Sequence, residues 1–232
     1  TLFPYTTLFR SLIMNFHAIR KADFEAAGEE YRKYEGCFSD SRKTRALFKK
    51  GYKLYAQDET KRALKVLSKA LKEADKEDNY KGKGVLYFFI GACYEDLLKT
   101  EKAIENYTAA LRDNPHLDSA WSNMGIIYMD KSDYEKARQC FEKALSINSA
   151  GAQAYNNLGT LYLKQNNINK AITFYKKALD TKPNYSVTLG NLAYAYALNG
   201  DFENSDTYIK LAAANGYTNL KQLRKMIENL RV

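Results

Sequence analysis

The chain has 232 residues, 45% hydrophobic and 27% charged, with 36 Lys/Arg against 27 Asp/Glu and a formal net charge of +9. That length suits one or two domains, and no stretch nears the roughly 20 apolar residues of a membrane span. Three widely spaced cysteines, Cys37, Cys93 and Cys140, form no metal-ligand or redox pair; Cys93 and Cys140 read as buried fillers in a reducing compartment, and the expected location is the cytoplasm.

In chain order, residues 1–11 stand apart from everything that follows. They resemble an in-frame translation of a sequencing adapter and are set aside as an artefact. The native start is then Met14, or the native N-terminus with any signal is missing. A short hydrophobic signal is the competing reading, but Pro4, Thr6, Thr7 and Arg10 break its apolar run. Residues 12–43 are charged and helical around Phe24–Tyr34, an N-terminal helical cap or a degenerate repeat.

From residue 44 onward a 34-residue interval governs the chain. Gly91, Gly125 and Gly159 are one period apart, and the next step lands on Ala193. Four residues earlier lie Tyr87, Trp121, Tyr155 and Leu189. Three residues later lie Tyr94, Tyr128, Tyr162 and Tyr196. Small residues follow at Ala103, Ala137, Ala171 and Ser205, then at Ala110, Ala144, Ala178 and Ala212. Between those two columns stand Tyr107, Phe141, Tyr175 and Ile209. A fixed period of this length means a stacked array of helical hairpins.

Within one period, Trp121, Met124, Gly125 and Tyr128 recur at helical steps, a turn follows at 131–133, and Ala137, Phe141, Ala144 and Leu145 make a second face. Glycine inside a helix costs about 1 kcal/mol relative to alanine. Gly51, Gly91, Gly125 and Gly159 are therefore expected where a second helix must approach closely. Pro115 and Pro183 end second helices.

These residues resemble the tetratricopeptide repeat family, whose signature reads here as Tyr155, Leu158-Gly159, Tyr162, Ala171, Tyr175, Ala178 and Pro183. The resemblance implies an all-α, right-handed α-solenoid of about five helix-turn-helix repeats with a C-terminal capping helix. The units fall at 44–83 (divergent, with a long connection), 84–117, 118–151, 152–185 and 186–218, and the cap at 219–232. Ser149 stands where the family has proline. In the cap, Leu220, Leu223, Ile227 and Leu230 share one face.

Little points to catalysis. His17 and His116 lack partners at metal-ligand spacing, and no phosphate loop, serine elbow or zinc helix is present. The expectation is a protein that is not an enzyme, needs no cofactor or metal, and acts as a monomer on a protein or peptide partner.

The family resemblance assigns the first helices to a concave groove. Two residues before the glycine column stand Asn123, Asn157 and Asn191, again 34 apart. A carboxamide can donate and accept at once. Packed helices lie about 8–10 Å apart, and an extended peptide advances about 3.3 Å per residue. One asparagine could thus meet the peptide backbone at every third residue, as in the asparagine ladder of the repeats attached to O-linked N-acetylglucosamine transferases. The alternative is that these asparagines meet only water. Other groove candidates are Phe48, Tyr52, Phe88 and Phe89 as apolar anchors at the N-terminal end, and Ser122, Asn156, Thr160 and Tyr194 further on; the aromatic stripe could equally be packing. A chaperone-type clamp for a C-terminal carboxylate is disfavoured, because its lysine positions hold Phe88 and Gln153 and only Asn123 fits.

Two other readings stay open. The array could be the regulatory arm of a larger enzyme whose catalytic part is missing. Or the basic excess could bind RNA or a membrane surface through residues 42–65, since 19 Lys/Arg face 12 Asp/Glu through Lys83 against 17 and 15 beyond it. No RNA-binding motif accompanies that charge, so nucleic acid is disfavoured.

Overall fold

A computed structural model describes residues 41–76 and 82–231. The expectations for residues 1–40, His17 and Cys37 included, and for the middle of the long connection lie outside them. The described residues form eleven helices: α1 (Arg42–Ala56), α2 (Thr60–Ala74), α3 (Lys83–Asp96), α4 (Thr100–Asp113), α5 (Asp118–Asp130), α6 (Tyr134–Ile147), α7 (Ala152–Lys164), α8 (Ile168–Thr181), α9 (Ser186–Leu198), α10 (Phe202–Ala214) and α11 (Leu220–Glu228). No strand occurs among the described residues. The chain divides into two compact units, Thr1–Ala120 and Trp121–Val232.

Within each unit the helices pack as sequential antiparallel pairs, α1 with α2 and α3 with α4, then α7 with α8 and α9 with α10. The glycine column explains the closeness of each pair. A Cβ built on Gly51 would lie 2.7 Å from Leu67 Cγ, on Gly91 2.8 Å from Tyr107 Cδ1, on Gly125 2.5 Å from Phe141 Cε1, and on Gly159 2.6 Å from Tyr175 Cδ1. Each glycine thus seats the plug of its partner helix, and Tyr107, Phe141 and Tyr175 are fully or almost fully buried. The alanine columns flanking the plug are buried as well, at Ala103, Ala110, Ala137, Ala144, Ala171 and Ala178.

The turn inside each pair repeats too. Asp58, Leu98, Ser132 and Asn166 adopt positive φ (66°, 57°, 61° and 59°), and Gly200 takes the same place at 78°. The next N–H closes back on the tyrosine column: Lys99 N–H donates to Tyr94 O (2.8 Å), Asp133 to Tyr128 O (2.9 Å), Asn167 to Tyr162 O (2.8 Å) and Asp201 to Tyr196 O (3.0 Å). With Leu98 N–H donating to Glu95 O (2.9 Å), this is the Schellman arrangement, which uses a left-handed residue to satisfy the last carbonyls of a helix. The residue that follows then caps the next helix. Asp133, Asn167 and Asp201 accept from the N–H of Lys136, Lys170 and Asn204, whereas Lys99 supplies no side-chain cap to α4.

Leu98 is the misfit in that column. It is 84% exposed, so its side chain gains little by burial while it holds a conformation that costs an L-residue about 1–2 kcal/mol. Leu98→Gly is expected to stabilise the protein by about 1 kcal/mol, read as a higher urea midpoint; an unchanged or lower midpoint would show that the turn is not strained.

Proline does not set the ends of the second helices by itself. Asn114 and Lys182, each before a proline, are close to extended, but so is Asn148 (φ −128°, ψ 90°), which precedes Ser149. The shared geometry belongs to the repeat, and proline merely tolerates it. At the C-terminal end α11 packs on α9 and α10, burying Leu223 and Ile227, while Leu220 and Leu230 are half-buried. Tyr217 lies over Gly190, where a Cβ would come within 2.9 Å of its ring.

Candidate functional site

The predicted groove residues divide between the two units. In the first, Phe48 and Tyr52 on α1 meet Phe89 on α3 at centroid distances of 5.4 and 5.3 Å, and Phe88 meets Phe89 at 5.0 Å and Tyr107 at 5.8 Å. All of these rings are buried. The four predicted anchors therefore form one aromatic cluster between α1 and α3, with edge and tilted contacts of the kind aromatic pairs prefer.

In the second unit α5, α7 and α9 carry the asparagine column. Asn123 is buried, Asn157 is 0% exposed, and Asn191 is half-buried. The three are not equivalent. Asn191 Nδ2–H donates to Asn156 Oδ1 (3.0 Å), and Thr188 Oγ1–H donates to the same oxygen (3.0 Å). Asn156 is thus a brace between α7 and α9. Thr160 Oγ1–H donates to the Asn156 carbonyl (3.1 Å) and lies 3.1 Å from the Tyr175 hydroxyl, so the plug tyrosine is tied to the same network. Burial raises the pKa of the Tyr175 hydroxyl, the bond to Thr160 opposing it, and pushes Tyr217 up to about 12.

Asn157 stands out from this network. Neither its Oδ1 nor its Nδ2 has a hydrogen-bond partner, although both are buried. A buried amide left unpaired costs about 1–3 kcal/mol. Gln153 and Lys164, on the same helix, are half-buried. Ser122, Thr160 and Tyr194 are buried.

Two features of the site region escaped the sequence reading. Thr188, the second donor to Asn156, occupies no column of the repeat, and only the fold brings it there. The lysines at 102, 136 and 170 share the 34-residue interval and lie over the rings of Tyr94, Tyr128 and Tyr162 at 5.6, 5.5 and 5.1 Å. Their spacing was legible; their role as cations on the tyrosine column needed coordinates. Elsewhere, His116 is exposed, its N–H donating to Asn114 Oδ1 (3.0 Å). Cys93 and Cys140 are buried free thiols, and burial pushes Cys140 up to about 11. Among the described residues no group of acidic, histidine or cysteine side chains could hold a metal ion, and no helix is long and apolar enough to cross a membrane.

Paired helices with a glycine–aromatic seat at a 34-residue interval define a helical repeat protein. Residues 117–184 match the tetratricopeptide repeat family model, so this part of the chain carries tetratricopeptide repeats. No curated protein sequence matches it. Among solved structures it is similar to a thermophilic TPR protein of Thermus thermophilus, at 18% identity, covering 81% of this chain and 98% of that one, with a TM-score of 0.66. It is also similar to pilF of Pseudomonas aeruginosa (19% identity, 80% and 85% covered, TM-score 0.67) and to MamA (23%, 71% and 93%, TM-score 0.56). At these identities the likeness is one of fold. The fold is that of a protein–protein interaction scaffold, and the family that matches is a repeat family, not a catalytic one.

Proposed function

We propose that the chain is a non-catalytic, monomeric scaffold that binds an extended segment of a partner protein along the face of α5, α7 and α9 marked by Asn123, Asn157 and Asn191. The supporting observation is Asn157, which holds a buried donor and a buried acceptor with no partner of their own. A peptide group presents the complementary pair, so a bound backbone would satisfy both at once. Because Asn157 is sealed from solvent, a peptide reaches it only when the surrounding structure opens, and binding is coupled to that opening. Buried thiols at Cys93 and Cys140 suit a reducing compartment such as the cytoplasm.

The test uses peptides selected on the wild-type chain from a displayed random library. Replacing Asn123, Asn157 and Asn191 together by alanine is expected to weaken the selected peptides about tenfold or more, with an unchanged circular dichroism spectrum. Equal affinity in a folded triple variant would eliminate the ladder.

A further inference from the structure

The surface of α2 differs from that of every other second helix. At about 100° per residue, Lys61, Lys65, Lys69 and Lys72 fall within an arc of about 80°. The centre of that arc lies roughly opposite the buried Ala63, Leu67, Ala70 and Ala74. Every exposed residue of α2 is a lysine or arginine. Arg62 pairs with Glu59, but the four stripe lysines have no ion pair among the described residues.

Helix stability does not account for this. Positive charge in the first turn opposes the helix dipole by a few tenths of a kcal/mol, and α2 has no acidic residue there. In the later repeats the column of Lys61 holds Glu101, Glu135, Asn169 and Glu203. On α6 the cation Arg138 is matched by Glu135 (2.6 Å) and Glu142 (2.7 Å). On α6, then, carboxylates on the same helix compensate a cation, whereas every exposed residue of α2 is basic.

We propose that α2 is a second docking surface, for an acidic polypeptide segment in extended conformation. Lysines four residues apart on a helix are spaced by about 6 Å along its axis. Carboxylates on alternate residues of an extended chain are about 6.6 Å apart, so several pairs form in register over the roughly 16 Å from Lys61 to Lys72. The stripe offers no aromatic ring on which a base could stack and no exposed apolar side chain to enter a bilayer. Both absences favour a protein anion over single-stranded nucleic acid or lipid. This surface shares no residue with the asparagine face, so each can fail alone.

The experiment measures fluorescence anisotropy of the full chain with three probes: a labelled peptide of alternating glutamate and serine, an oligouridine of equal length, and phosphatidylserine-containing vesicles. The expected result is binding of the acidic peptide, weakened by salt. Reversal of Lys61, Lys65, Lys69 and Lys72 to glutamate should weaken it about tenfold or more. A control with the same change in net charge, Lys143, Lys210, Lys221 and Arg224 to glutamate, should bind within about twofold of wild type. Should the reversed chain not fold, the same four lysines changed to glutamine serve instead. Failure to bind the peptide, equal loss in the control, or tighter binding of oligouridine or vesicles would overturn the proposal.

Discussion

Gly125→Leu is expected to destabilise the second unit by about 3 kcal/mol, the upper end of the usual cost of overpacking a core. A Cβ alone would stand 2.5 Å from Phe141 Cε1, with Cδ1 and Cζ at 2.8 and 2.9 Å. The ring cannot yield cheaply, since Phe141 is fully buried and sits between Ala137 and Ala144, which are buried too. Helix propensity runs the other way, because replacing glycine gains up to about 1 kcal/mol; a neutral or positive result would therefore mean that the helices can slide apart. The chain itself offers a control. In its last repeat the same two columns hold Ala193 and Ile209. Gly125→Ala should be destabilising alone, and Phe141→Ile should cost stability alone, but the double variant should be more stable than the two single effects sum to. A thermal or urea melt of the four proteins yields that coupling energy. Additive effects would refute the idea that glycine and aromatic act as one seat.

Asn157→Leu is expected to have opposite effects on stability and on binding. Leucine branches at Cγ as asparagine does, so the change puts apolar groups where an unpaired carboxamide stood. Removing a buried, unsatisfied donor and acceptor should stabilise the protein by about 1–3 kcal/mol. The same change should abolish capture of library-selected peptides, because the backbone-reading group is gone. A rise in melting temperature with loss of binding is the signature of a functional residue held at a cost to the fold. A fall in stability would show that Asn157 is a structural strut after all. The contrast with Asn156 sharpens the test: its Oδ1 accepts from Thr188 and Asn191, so Asn156→Leu breaks two bonds and is expected to lower the melting temperature.

Much of this protein follows from its sequence, because a repeat states each contact several times. The interval of the glycines, aromatics and alanines identifies which helices pair and which residues touch, since a missing side chain on one helix predicts a large one on its partner. The 131–133 turn and the apolar face of the cap helix were legible for the same reason, being local. The tertiary structure decided what periodicity cannot express. Asparagines one period apart hold the same place in the repeat, yet Asn191 donates to Asn156 while Asn157 has no partner, because hydrogen bonding depends on which side chains cross from the next helix. The rings of Phe48, Tyr52, Phe88 and Phe89 likewise read as a stripe along two helices, and only packing turned them into one cluster. Periodicity is a property of each helix pair, set by local sterics; pairing between polar groups depends on the distance and angle between helices, which no single repeat contains.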